Sequence, residues 1–177
     1  TIVNATRASS ITLGNSSTID VSSSSNGVGV YSKGVYRGGA ATITDNGSNI
    51  TIGAVGIGVY SEGAEINATG GIITSINNST AQGIFTDSNV NSFKNITLLG
   101  DKSIGIHNYG VNSMYSTGYV TITNSGTITL GDSANINDPS IGIYTKYGDV
   151  NHYGTINGGL RTLGVLSETG RSVNIDN

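Results

Sequence analysis

The 177-residue sequence has no cysteine, no tryptophan, one proline and one methionine, and only 11% of its residues are charged. Without cysteine, neither a disulfide framework nor a thiolate metal site can form. The eight basic residues are scattered, which leaves no nucleic-acid footprint. No apolar run reaches membrane-spanning length, and neither an initiating methionine nor a signal peptide is present. The chain begins and ends inside repeat-like text, as expected of a segment cut from a longer polypeptide. Good helix formers are scarce and no amphipathic helix is visible. With 36% apolar residues and a net charge of −3, the composition also argues against disorder.

What is abundant is glycine, at 27 residues, together with Ser, Thr, Asn and the strand-favouring Ile, Val and Tyr. These residues recur in order. Gly27-Val28-Gly29-Val30-Tyr31-Ser32 returns as Gly56-Ile57-Gly58-Val59-Tyr60-Ser61 and as Ser140-Ile141-Gly142-Ile143-Tyr144-Thr145. Altered copies stand around Gly83, Gly105 and Gly164, so the central glycines are 29, 25, 22, 37 and 22 residues apart. Such intervals signal a solenoid, in which each unit buries its apolar face only against its neighbours.

A second phrase recurs at Ile11-Thr12-Leu13-Gly14, Ile50-Thr51-Ile52-Gly53, Ile96-Thr97-Leu98 and Ile128-Thr129-Leu130-Gly131, and a third at Glu65-Ile66-Asn67, Asn89-Val90-Asn91 and Asp149-Val150-Asn151. Each unit thus holds three short alternating segments separated by turn residues. Three strands per unit without helices predict an all-β fold: a right-handed parallel β-helix (solenoid) of about six coils with three short strands each. Coils about 4.8 Å apart would make a prism roughly 25–30 Å long. Ile141 and Ile143 should then stack over Ile104 and Ile106, or over Ile57 and Val59. The whole chain reads as one unit, with loop insertions near 15–26, 33–39, 109–118 and 132–139.

Strict alternation places Tyr31, Tyr60, Phe85, His107, Tyr144 and Leu166 in one outward column, beside a floor of outward glycines. An aromatic column could stack sugar rings or dock a partner; the simpler expectation is that the rings cover bare backbone and stabilise the sheet. The following residues, Ser32, Ser61, Thr86, Asn108, Thr145 and Ser167, are expected to end the strand. The partner-binding candidates lie in the insertions: Tyr109, Met114 and Tyr115 in one, Lys33, Tyr36 and Arg37 in the other. Tyrosine supplies contact area at low entropic cost.

Catalysis finds no support. His107 and His152 lack metal-site company, and no GxSxG elbow or glycine-rich calcium repeat occurs. Asp101 and Asp132, each after a glycine, read as turn residues. No catalytic residue, metal or cofactor is expected.

The phrases Ser103-Ile104-Gly105-Ile106, Ser140-Ile141-Gly142-Ile143-Tyr144 and Asn124-Ser125-Gly126-Thr127-Ile128-Thr129-Leu130-Gly131 resemble the passenger regions of autotransporter (type V secreted) proteins. The likeness is greatest to large fusobacterial surface adhesins and looser to vacuolating-cytotoxin-like passengers. The resemblance implies a rigid stalk on the bacterial cell surface, a signal peptide upstream, and a membrane β-barrel downstream as the sole membrane contact. It implies a non-enzymatic adhesin, expected as a monomer, that binds a host cell-surface protein or glycan, or other bacteria. The alternatives are a toxin-like passenger of the same fold, a pure spacer and, last, a polysaccharide lyase.

Overall fold

The computed structural model describes residues 3–5, 10–34, 41–76, 80–110, 119–169 and 171–176. The chain is an all-β parallel solenoid. Strands β1 (Val3–Ala5), β2 (Ile11–Leu13) and β3 (Thr18–Val21) make the first winding, and β4 (Val28–Lys33), β5 (Ala41–Asp45) and β6 (Asn49–Ile52) the second. The third holds β7 (Ile57–Glu62), β8 (Ala64–Ala68) and β9 (Ile72–Ser75), and the fourth β10 (Gln82–Thr86), β11 (Val90–Ser92) and β12 (Asn95–Leu98). The fifth is β13 (Ile104–Asn108), β14 (Val120–Asn124) and β15 (Ile128–Leu130). The sixth is β16 (Ser140–Thr145), β17 (Gly148–His152) and β18 (Ile156–Asn157), and β19 (Thr162–Ser167) and β20 (Val173–Ile175) begin another. No helix occurs among the described residues, so none could cross a membrane.

Like strands stack into three parallel sheets of seven, seven and six strands. The first sheet collects the glycine-centred phrases (β1, β4, β7, β10, β13, β16, β19). The second runs β2, β5, β8, β11, β14, β17, β20, and the third β3, β6, β9, β12, β15, β18. Hydrogen bonds between strands run along the prism and satisfy the backbone, while inward side chains form files one residue deep. Val30, Val59, Ile84, Ile106, Ile143 and Val165 form one file. Ile19, Ile50, Ile73, Ile96, Ile128 and Ile156 form another. Burying one such side chain contributes about 1.5–3 kcal/mol, so repetition of one residue type provides the core.

The glycines do not lie where strict alternation places them. In β7 both Gly58 and Val59 are buried, and Tyr60 faces out. A Cβ on Gly58 would lie 2.7 Å from Ile73 Cγ2 and 2.6 Å from the Gly83 carbonyl oxygen. Two consecutive residues thus turn inward, and glycine is required because the third sheet's isoleucine fills the space. Gly29, Gly83, Gly105 and Gly142 meet Ile50, Ile96, Ile128 and Ile156 in the same way. The expected outward glycine floor is therefore absent. Its place on the face is taken by Val28, Ile57, Gln82, Ile104, Ile141 and Leu163, of which Ile141 is nearly covered and the others are more open. The vertical stacking of Ile141 on Ile104 and Ile143 on Ile106 is as expected, although only Ile143 and Ile106 belong to the inner file.

The first winding is also out of phase with the sequence reading. Ile11-Thr12-Leu13 pairs with Ile43-Thr44-Asp45 and so belongs to the second sheet, not the third. The third-sheet strand is Thr18–Val21, inside the serine-rich stretch read as a loop. The insertion at 15–26 is therefore two turns around a strand. Ser32, Ser61, Thr86, Asn108 and Thr145 are fully buried and point inward. Thr86, Asn108, Thr145 and Ser167 end their strands as expected, whereas β4 and β7 run one residue further, to Lys33 and Glu62.

Candidate functional site

Phe85 stands at the centre of the outward aromatic column, and its neighbours lie in register: Tyr31 beside Tyr60, Tyr60 beside Phe85, Phe85 beside His107, His107 beside Tyr144, and Tyr144 beside Leu166. Ring centroids follow at 5.0, 5.1, 4.8 and 4.7 Å, with interplanar angles between 43° and 68°. These tilted contacts are the ones aromatic quadrupoles favour, so each ring is engaged by the next.

Two residues beyond each ring, a further column runs along the edge between the first and second sheets: Lys33, Glu62, Asp87, Tyr109, Lys146 and Glu168. Two of its carboxylates, Glu62 and Glu168, hold rings of the column. Glu62 accepts hydrogen bonds from Tyr60 Oη (2.8 Å) and Tyr31 Oη (3.2 Å) and pairs with Lys33 Nζ at 2.7 Å. Burial alone would raise the Glu62 pKa, but hydrogen bonds from Lys33, Tyr60 and Tyr31 outweigh it and hold the carboxyl below its usual range. Burial, and then Glu62, push the Tyr60 phenol up to about 12. Tyr144 donates to Glu168 at 2.6 Å and is likewise raised to about 12, first by burial and then by that carboxylate. Asp87 is buried and accepts from the Gly63 amide at 2.6 Å. His107 Nδ1 donates to Gln82 Oε1 at 2.7 Å, and burial lowers its pKa to about 4, so the ring is neutral at pH 7.

Tyr109 is not a free loop residue. Its ring lies 4.3 Å from that of Phe85 and 6.4 Å from that of Tyr60, so the chain leaving β13 folds back over two earlier windings. Burial, followed by the nearby carboxylates, raises its pKa. Lys33 ends β4 with an exposed side chain. Tyr36, Arg37, Met114 and Tyr115 lie outside the described residues. Even so, chain connectivity fixes where the two insertions are attached. One joins β4 to β5 and the other β13 to β14, so both leave the same edge of the prism, three windings or about 14 Å apart. Tyr119, where the second insertion rejoins the solenoid, is exposed, with the Arg171 guanidinium 3.5 Å from its ring centre. The segment 132–139 leaves by a different corner, between the third and first sheets.

Asp101 and Asp132 brace neighbouring windings. Asp101 accepts from Ser133 Oγ (2.7 Å) and the Ala134 amide (2.8 Å), and Asp132 from the Leu160 amide (2.7 Å). Both thus cap the next winding's turn, as their turn-residue reading anticipated. His152 is buried, with Nδ1 3.2 Å from Asn124 Nδ2 and Nε2 without a partner. Sequence reading missed Lys94, which is fully buried and pairs with Asp45 at 2.8 Å. Among the described residues no group of three or more His, Asp or Glu stands together as a metal site would require. No family model matches the chain, and neither a curated protein nor a solved structure was found similar to it.

Proposed function

We propose that the chain is a non-enzymatic adhesin segment, a rigid stalk that presents one adhesive edge to host or bacterial partners at a bacterial surface. The observation that carries this reading is that both insertions are attached at one edge of the prism, the one lined by Lys33, Glu62, Asp87, Tyr109, Lys146 and Glu168. Loops on a stiff scaffold are where binding residues concentrate, and tyrosine-rich loops bind at low entropic cost. The aromatic column stiffens the wall behind that edge: its rings contact one another, and Tyr31, Tyr60 and Tyr144 spend their hydroxyls on Glu62 and Glu168. The edge, not the column, is therefore the contact surface.

The likeness of its phrases to autotransporter passengers supports the setting, and stacked windings suit a chain that folds as it emerges from a pore. The test compares binding of labelled protein to host cells, bacteria and a glycan array with that of a variant whose 109–118 segment is shortened. A loss of at least tenfold supports the adhesive edge. Equal binding, or none by either protein, replaces it with a spacer role.

A further inference from the structure

Among the described residues, Lys94 and Asp45 form the only ion pair with both side chains sealed from solvent. Three windings build the place where they meet. Asp45 is the last residue of β5, in the second winding, and points inward. The residue in register with it in the third winding is Ala68, smaller than the Asn124 and His152 that hold the same place later. Lys94, two residues beyond the end of β11 in the fourth winding, reaches back past the third. Gly71 leaves space for its head: a Cβ there would stand 2.8 Å from Lys94 Nζ.

The two oxygens of Asp45 have different company. Oδ1 accepts from the backbone amides of Ser48 (2.7 Å) and Gly47 (3.1 Å), the arrangement that stabilises a negative oxygen during attack on a carbonyl carbon. Oδ2 faces Lys94 Nζ at 2.8 Å and accepts from the Ser48 hydroxyl at 2.8 Å. That hydroxyl oxygen is also 3.4 Å from Nζ, so it stands between the nitrogen and the oxygen that would leave. The carbonyls of Ser48 (2.5 Å) and Gly70 (3.0 Å) hold the nitrogen in place. A nucleophile, an acyl carbon, two oxyanion donors and a proton carrier therefore share one dry site.

We infer that Lys94 and Asp45 condense into an isopeptide bond, a covalent cross-link between the second and fourth windings. The ion pair is the starting state, which the freshly folded chain holds. Nζ first passes one proton to Oδ2, giving a neutral amine beside a neutral acid; burial, which lowers the Lys94 pKa, favours that transfer. Nζ then attacks the carboxyl carbon, and the negative charge forms on Oδ1, against the Ser48 and Gly47 amides. The Ser48 hydroxyl carries a second proton from Nζ to Oδ2, the carbon–Oδ2 bond breaks, and water leaves. One ammonium and one carboxylate thus become one secondary amide and one water, with no oxidant or cofactor consumed. Two features favour the product. Holding two groups in place supplies effective concentrations of about 10⁵–10⁸ M. The neutral amide also removes two charges whose burial is costly even when paired.

The test is mass spectrometry of the intact folded chain, kept at neutral pH for several days. Its mass should fall by one water. Trypsin should no longer cut after Lys94, so residues 38–102 come away as one piece. Further cutting at Glu62 and Glu65 should leave residues 38–62 and 66–102 joined, one water lighter than the two fragments together. Ser48→Ala keeps both reacting groups and both backbone amides, and should slow the loss of water at least tenfold in chain that circular dichroism shows to be folded. Full mass with ordinary cleavage after Lys94 would overturn the proposal, and the wild-type chain decides this whether or not the variant folds. A lost water without joined fragments would overturn it too, because an aspartate cyclised on its own backbone gives that result. A bond that forms as fast in folded Ser48→Ala would overturn the proton-carrying step.

Discussion

Lys94 spans two windings to place its ammonium 2.8 Å from the Asp45 carboxylate, with both side chains sealed from solvent. The ammonium also donates to the carbonyls of Ser48 (2.5 Å) and Gly70 (3.0 Å). Asp45 in turn accepts from the Ser48 amide (2.7 Å), the Ser48 hydroxyl (2.8 Å) and the Gly47 amide (3.1 Å). Full pairing is what makes a buried charge tolerable, and removing one partner strands the other.

Lys94→Met should therefore destabilise the chain by about 3–5 kcal/mol in urea unfolding, because it leaves a buried carboxylate without its counter-ion. Adding Asp45→Asn should recover part of that loss, since the amide oxygen can still accept from Ser48. A double variant no better than Lys94→Met would show that shape, not charge, is what Lys94 supplies.

The glycines of the first sheet should tolerate substitution unequally. A Cβ at Gly105 would stand 2.5 Å from the Gly142 carbonyl oxygen and 2.7 Å from Ile128 Cγ2. Gly105→Val should cost at least about 1–3 kcal/mol by overpacking, whereas Gly164→Val should cost almost nothing in the same denaturant series.

Acid should weaken the fold. The His107 pKa is lowered from 6.5 to about 4 by burial, and His152 is lowered for the same reason. Between those values the unfolded chain binds protons that the folded chain refuses, so stability falls as pH drops from about 6.5 toward 4. His107→Phe should make that decline shallower. An unchanged pH profile would mean that its ring is open to solvent.

Alkali should act through the aromatic wall. Tyr60 and Tyr144 hold their protons to about 12, and Tyr109 is raised as well, while unfolded tyrosine ionises near 10. The folded state thus keeps protons that the unfolded state releases, and stability falls as pH rises above about 10. Lys94, lowered by burial against the pull of Asp45, opposes this trend. Tyrosinate absorbance at pH 11 should rise further when urea is added.

The windings were legible in the sequence because identical phrases stack on themselves: Ile104 does lie beside Ile141, and Ile96 beside Ile128. The direction of the glycines was not legible, since a period of two cannot represent adjacent inward residues such as Gly58 and Val59. Ile11-Thr12-Leu13-Gly14 matched the third-sheet phrase in letters, but Thr18–Val21 follows within a few residues and takes that sheet instead. β5 escaped notice because Thr42-Ile43-Thr44 lacks the closing asparagine of Glu65-Ile66-Asn67, Asn89-Val90-Asn91 and Asp149-Val150-Asn151. Lys94 did leave a trace. It stands two places after Ser92, where the aligned Asp45, Ala68, Asn124 and His152 are each followed two places on by glycine. A lysine at a turn glycine's place signalled a side chain with somewhere to go. The carboxylates that hold the ring column, Glu62 and Glu168, stand two residues beyond aligned ring positions, but their file reads Lys33, Glu62, Asp87, Tyr109, Lys146 and Glu168, with no repeated phrase to mark it.

The bonds that join successive strands point along the prism, so a pull applied at its two ends loads them one winding at a time, as thread leaves a spool. Lys94 interrupts that sequence by tying the second, third and fourth windings into a knot that must yield together. Stretched from its two ends, the chain would pay out length on either side of a short segment that holds.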